Sequence, residues 1–308
     1  MKQKTAHFYK QKMLKVLNYI QENLDEPLQL NTLAEVACFS PYHFHRLFKG
    51  MTGESLQQHI RRLRMERAAW RLRLGDQSII RIAHDAGYAS DVAFSRAFKS
   101  LCGLSPAVFR ANQRAPFPLL SPIAIRYSET ERLKEVEFFH SKEMSMKVVI
   151  KEMPEVKVAY VRHVGPYAEC GKAWEKLFCF LGPQGVLGGQ AKILGLSHDD
   201  PEVTPAQEIR YDACVTLEDG IELKEEGRKE AGVGVKMVDG GEYAVTTHFG
   251  PYDTLAVTYA KFFGEWLSSS DRSPADRPCF EIYLNDPEST APEDLVTDIY
   301  MPLEEVKQ

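Results

Sequence analysis

No Cys-x-x-Cys pair occurs in these 308 residues, and the six cysteines (Cys38, Cys102, Cys170, Cys179, Cys214, Cys279) are scattered along the chain. That spacing argues against both a zinc site and a disulfide framework, and it leaves buried thiols as the reading. No three-histidine or Cys-His cluster stands ready for a metal and no glycine-rich loop for a phosphate, so neither a metal nor another cofactor is expected. No apolar run is long enough to span a bilayer. The Lys-rich start, Met1 to Lys15, is not followed by the apolar stretch and small-residue cleavage site of a secretory signal, so the chain is expected to stay in the cytosol and away from membranes. What is present is a 44% hydrophobic content, enough at this length to bury two ordinary cores, and two domains are expected.

A net charge of −5 conceals an asymmetry. Residues 1–115 hold 18 Lys and Arg against 9 Asp and Glu, whereas the remainder holds 20 against 34. A basic first third is an electrostatic footprint for phosphates, and the acidic remainder would be repelled by the same duplex. Arg-dense helices such as Arg61 to Arg73 also occur as ordinary solvated surfaces, so charge alone does not decide between the two.

The pattern of the first third is more specific. Met13, Leu17, Ile20 and Leu24 form one stripe of an amphipathic helix that ends before Pro27. Leu33-Ala34-Glu35-Val36-Ala37-Cys38-Phe39 then returns as Ile82-Ala83-His84-Asp85-Ala86-Gly87-Tyr88 at an offset of 49, and Ser40, Phe44, Arg46, Phe48 and Gly53 return at an offset of 50. Each copy has the grammar of a helix-turn-helix: a small residue at the crossing point (Ala34, Ala83), a tight turn, and a second helix started by Ser40 with Pro41 or by Ser90 with Asp91. Within the second helices Phe44 with Phe48 and Phe94 with Phe98 face inward, which leaves Tyr42, His45 and Arg46, and Asp91, Val92, Ser95 and Arg96, facing out as candidate readers of double-stranded DNA. Val92 suits a thymine methyl and Asp91 a cytosine amino group, although Asp91 serves equally as a cap; Arg46 and Arg96 suit a phosphate or a guanine. Ser55 to Leu74 reads as one long helix joining the units.

On Ile82 to Tyr88, Phe94 to Lys99 and Gly103 to Arg110, the segment from about Phe8 to Asn112 resembles the AraC family of transcription regulators. The resemblance implies that the two second helices enter successive major-groove faces about 34–36 Å apart. Reading positions in that family are often long polar residues, so the apolar Val92 and anionic Asp91 depart from it.

Residues 113–145, rich in Pro and then in charge, read as a linker. Beyond Met146 a second repeat appears: His163-Val164-Gly165-Pro166-Tyr167 recurs as His248-Phe249-Gly250-Pro251-Tyr252 at an offset of 85, and Asp200-Pro201-Glu202 as Asp286-Pro287-Glu288 at 86. Each copy reads strand, strand, helix, strand, strand, which suggests two duplicated modules with a groove between them. Where the first copy has Leu194-Gly195-Leu196-Ser197, the second has Phe280-Glu281-Ile282-Tyr283. Glu281 therefore stands in an apolar strand where the shared module needs no acid, as a ligand contact, an internal ion pair or a partly exposed strand residue.

Through the His-x-Gly-Pro-Tyr elements and Cys279 to Pro287, this half resembles the GyrI-like effector-binding domain. That resemblance implies a groove for amphipathic, often cationic, molecules, with a glutamate at the position of Glu281. Tyr283, Tyr167, Tyr252 and Trp174 are the candidate walls; each taken alone also has an ordinary core reading, and the Gly-Pro-Tyr elements also read as strand-to-helix turns with structural histidines.

The expectation is an α+β multidomain chain: an all-α double helix-turn-helix domain over 1–112, a linker over 113–145 and a duplicated α+β effector domain over 146–308. It is read as a DNA-binding transcription regulator answering to a small-molecule effector, and not as an enzyme. Two alternatives stay open: a GyrI-like hydrolase using Glu281 with a tyrosine, and a protein-binding module that recruits a partner such as RNA polymerase.

Overall fold

The computed structural model describes residues 2–112, 121–138, 146–218 and 220–305. The chain divides into two units, one built on residues 1–141 and 263–268 and the other on 142–262 and 269–308.

Serine starts most helices of the first unit. The order is α1 (Lys2–Glu22), α2 (Leu30–Ala37), α3 (Pro41–Thr52), α4 (Leu56–Leu74), α5 (Ile79–Asp85), α6 (Asp91–Cys102) and α7 (Pro106–Ala111). Ser40, Ser55, Ser78, Ser90 and Ser105 each accept the third backbone N–H of the following helix, and Ser55 forms a reciprocal capping box with Gln58. The turn between α5 and α6 needs a left-handed residue, supplied by Gly87 at φ 84°, and the matching turn between α2 and α3 holds Cys38 at φ 53°. The expected stripe of α1 is buried, as are Ala34 and Ala83 at the helix crossings. Phe94 and Phe98 of α6 close on Phe109 of α7 and on Met65, Ala68 and Leu72 of α4.

The expected linker is more than a spacer where it is described. Residues 121–138 lie along α1 and α4, with Ile123 and Ile125 buried. Arg62 donates to the Ile125 carbonyl at 2.8 Å, Glu66 accepts the Tyr127 N–H at 2.7 Å, and Asn18 exchanges both amide bonds with Leu133. Residues 113–120 and 139–145 of that stretch lie outside the described residues.

The second unit is built from β1 (Val148–Met153), β2 (Val156–Val164), α8 (Gly171–Leu181), β3 (Ile193–Ser197), β4 (Arg210–Thr216), β5 (Val233–Val238), β6 (Gly241–Phe249), α9 (Leu255–Lys261), β7 (Cys279–Tyr283) and β8 (Val296–Pro302). All eight strands join one antiparallel sheet in the order β1-β6-β8-β7-β3-β4-β2-β5. Alternation divides its side chains. Ala159, Val161, Tyr211, Ala213 and Val215 pack under α8, while Val158, Leu194, Leu196, Phe280 and Tyr300 form a core on the other face. Among the described residues no helix is long and apolar enough to cross a membrane, and no group of three or more His, Cys, Asp or Glu is placed to hold a metal.

Candidate functional site

The inward pairs Phe44/Phe48 and Phe94/Phe98 anchor α3 and α6 as the spacing requires, with ring centroids 5.8 and 5.5 Å apart. On α6 the opposite side presents Asp91, Val92 and Arg96 to solvent, with Ser95 half-buried. The Asp91 carboxylate accepts the N–H of Val92 at 3.0 Å, so it caps its own helix. On α3, Tyr42 and Arg46 are half-buried, and the Arg46 guanidinium lies 4.5 Å over the Tyr42 ring.

His45 departs from the expectation that it faces out, being only 2% exposed. It stands in line with Phe48 and Thr52, three and seven positions further on and both fully buried, so it belongs to the flank of the apolar stripe. The arginines of α4 are likewise less free than their number suggests. Arg62 is buried between Glu54 and Glu66, Arg64 donates to the Leu24 and Glu26 carbonyls, and Arg71 pairs with Asp85 at 2.7 Å. Part of the basic surplus of the first third therefore holds the helices together.

In the second unit every expected wall residue falls in one aromatic cluster around Glu281. Glu281 sits in β7 directly opposite Gly195 of β3 and is 4% exposed. Tyr259 of α9 donates its hydroxyl to Glu281 Oε1 at 2.5 Å and Ser197 does so at 3.4 Å, while the Tyr283 hydroxyl lies 3.5 Å from Oε2. Tyr252 stands edge-on to Tyr283 at 5.3 Å, Trp174 to Tyr283 at 5.9 Å and to Tyr211 at 6.3 Å, and Tyr167 to Tyr211 at 5.8 Å. The hydroxyls of Tyr211 and Tyr283 meet at 2.8 Å above Gly195, where a Cβ would collide with both. Glycine is thus required there for space. Burial, reinforced by neighbouring ionisable groups such as the Glu281 carboxylate, lifts both hydroxyls well above the ordinary tyrosine range, so both stay protonated.

Tyr211, Tyr259, Ser197 and Gly195 were not marked by the sequence pattern. Gly195 carried the one available signal, as the partner of Glu281 in the repeat. The two histidines of the Gly-Pro-Tyr elements are structural: His163 Nε2 bonds the Pro166 carbonyl at 2.9 Å and His248 Nε2 the Pro251 carbonyl at 3.2 Å, pinning each turn.

Residues 33–112 match the model of a helix-turn-helix domain, and residues 146–304, just over half of the chain, match the GyrI-like small molecule binding domain. The chain belongs to the AraC-type DNA-binding transcription regulators that carry a GyrI-like domain. Over 98 residues this regulator is 38% identical to the transposon Tn10 TetD protein of Escherichia coli, a match covering 32% of this chain and 71% of that one. Its second half is similar to the DNA gyrase inhibitor of Enterobacter lignolyticus, 31% identical over 142 residues, or 46% of this chain and 87% of that one. The transcriptional regulator Rob of Salmonella typhimurium is 32% identical over 111 residues, 36% of this chain and 38% of that one.

Proposed function

We propose that this regulator reads a non-palindromic duplex site through α3 and α6 and that a lipophilic cation bound at Glu281 controls it. The observation that carries the effector reading is a buried carboxylate ringed by Tyr167, Trp174, Tyr252 and Tyr283 in a strand that is otherwise apolar. Aromatic faces attract cations, and a carboxylate out of water rewards a charged partner.

A duplication of the second unit explains why the acid stands alone. The elements β1, β2, α8, β3 and β4 recur as β5, β6, α9, β7 and β8 at offsets of 85 and 86. Exchanging the two sets turns the strand order into its own reverse, with Gly195 and Glu281 facing each other at its centre. One half supplies room, the other supplies charge. A hydrolase would use the same contact between Glu281 and Tyr259, as base and orienting group; the fused helix-turn-helix domain favours sensing over turnover.

Two measurements test these readings. Calorimetric titration with benzyltriethylammonium should show that Glu281→Gln, which keeps shape but removes charge, loses about 1–4 kcal/mol of binding depending on how dry the groove is. Unchanged affinity in an equally folded variant removes Glu281 from the site, and heat that continues after saturation points to turnover. For DNA, Arg96→Ala should lower the affinity for a selected duplex by about 1–3 kcal/mol and relax its sequence preference if the guanidinium reads a base. An equal loss on every duplex, with a smaller salt slope, would make Arg96 a phosphate contact.

A further inference from the structure

The geometry points to a hydrogen-bonding position beside the cation site: the buried hydroxyl of Thr297 reads a polar group that the effector carries across its aromatic ring from the charge. This rests on the Glu281 reading and narrows the class of molecule that site takes.

Thr297 is fully buried in β8, and its hydroxyl has no hydrogen-bond partner among the described residues. Buried hydroxyls normally find one. Thr246 of the neighbouring strand β6, for example, donates to the Lys147 carbonyl at 3.0 Å. The polar groups on either side of Thr297 are engaged elsewhere. In register it stands between His248 of β6 and Tyr283 of β7. His248 commits Nδ1 to Thr258 at 2.8 Å and Nε2 to the Pro251 carbonyl at 3.2 Å, and the Tyr283 hydroxyl meets that of Tyr211 at 2.8 Å. The matching residue of the first half, 86 positions earlier, is Tyr211 itself, whose hydroxyl is satisfied by that bond. A strand with no use for the Thr297 hydroxyl would be as well built with valine, which has the same branched shape and nothing to satisfy.

Register puts this hydroxyl on the ligand side of the sheet. Glu281 stands opposite Ile299, and Thr297 lies two residues from Ile299 on the same face. Such a diagonal pair is about 7–8 Å apart, the span of a benzene ring with a group at each end. Tyr283 borders both positions: its hydroxyl lies 3.5 Å from Glu281 Oε2, and it is the residue opposite Thr297. Glu281 is only 4% exposed, so a cation that reaches it has to displace the rings above it, and moving Tyr283 uncovers Thr297 as well. A hydroxyl held out of water favours a ligand that bonds to it over one that presents a methyl group. The effector is therefore a lipophilic cation whose ring bears a hydroxyl or carbonyl opposite its charged arm.

Calorimetry on the full chain with para-hydroxybenzyltrimethylammonium and para-methylbenzyltrimethylammonium, equal in charge and close in size, tests this. The readout is the ratio of the two affinities, because a purely structural role would move both together. Thr297→Val should shift that ratio toward the methyl probe by roughly three- to tenfold, the worth of a neutral hydrogen bond, while Thr297→Ser should keep the wild-type ratio. The valine variant should melt no lower than the wild type, having lost only an unpaired hydroxyl. Glu281→Gln should weaken both probes and leave their ratio alone. A ratio that Thr297→Val does not change overturns the proposal. So does an equal loss of both probes, or a lowered melting temperature, which would mean that the hydroxyl is satisfied within the fold. If Glu281→Gln leaves both affinities intact while Thr297→Val still shifts the ratio, the hydroxyl assignment stands and the Glu281 reading fails. Absence of binding by either probe overturns both.

Discussion

Replacing Asp212 by asparagine is expected to destabilise the second unit by about 3 kcal/mol, the lower end for breaking a buried ion pair, because some of its partners keep contact with solvent. Asp212 is fully buried in β4. Arg162 grips it from β2 with two bonds at 2.7 and 2.8 Å, His198 donates from the end of β3 at 2.7 Å, and Lys236 reaches it from β5. One carboxylate thus ties four strands. Asparagine keeps the shape but leaves the Arg162 and Lys236 charges facing a neutral amide, without the carboxylate that pairs them. Burial by itself would raise this acid, and the bonds from Arg162, His198 and Lys236 outweigh burial and hold it well below the usual carboxylate range. For a depressed acid the stabilisation is present above the unfolded value of about 3.9 and is lost as pH falls through the folded one. The wild-type unit should therefore hold near neutrality and weaken only in strong acid, while the variant is weakened throughout. Urea unfolding of the full chain, with amide exchange resolved to β2–β5, reads both. A loss under 1 kcal/mol would show that solvent reaching Arg162 and Lys236 screens them well enough without the carboxylate.

The same cluster shows what the repeat encodes. At the matching place in the second half Asp298 lies 3.8 Å from Lys151 and accepts from Thr247 at 2.6 Å. Lys151 and Lys236 are themselves 85 apart, as the repeat requires. An acid and a lysine stand at both places, while Arg162 and His198 stand where the second place has Thr247 and Leu284.

Much of this architecture was legible in the sequence because it is local. Ser40, Ser90 and Pro41 act within one helical turn, the Phe pairs within four residues, and the left-handed turn at Cys38 or Gly87 within three. Glu281 was legible because a repeat supplies its own control: an acid on one side and glycine on the other is a difference without alignment. What the sequence withheld depends on register across the sheet or on contacts far along the chain. Nothing near Gly195 announces that the hydroxyls of Tyr211 and Tyr283 meet above it, since the three come from three strands. Counting arginines could not tell a phosphate contact from Arg62, whose partners are Glu54, Glu66 and a carbonyl 63 positions away. His45 was misplaced because helical alternation assigns a side but not the width of the buried stripe.

Replacing Arg62 by methionine is expected to cost the first unit about 3–5 kcal/mol near neutral pH, because it strands two carboxylates at once. Arg62 is 7% exposed and donates to both oxygens of Glu54, at 2.6 and 3.1 Å, to Glu66 at 2.9 Å and to the Ile125 carbonyl at 2.8 Å. His59, fully buried and pushed down by that burial, is neutral and can offer Glu54 only one N–H, at 2.7 Å. In the wild type, burial alone would raise Glu54, but bonds from His59 and Arg62 bring it below its usual value. Its stabilisation is then present above the unfolded value of about 4.3 and is lost as pH falls through the folded one. Without the guanidinium, burial dominates and the folded value rises above the unfolded one, so protonation now favours the folded variant. The gap between wild type and Arg62→Met should be widest near pH 7 and should narrow as pH falls toward about 5. Adding Glu66→Gln to the variant should recover part of the loss, since it removes one of the stranded charges while keeping an acceptor for the Tyr127 N–H. Thermal melts across pH 5–8 measure all three proteins. A gap that does not change with pH would mean that Arg62 stabilises by packing and by its bond to Ile125 rather than by holding these carboxylates charged.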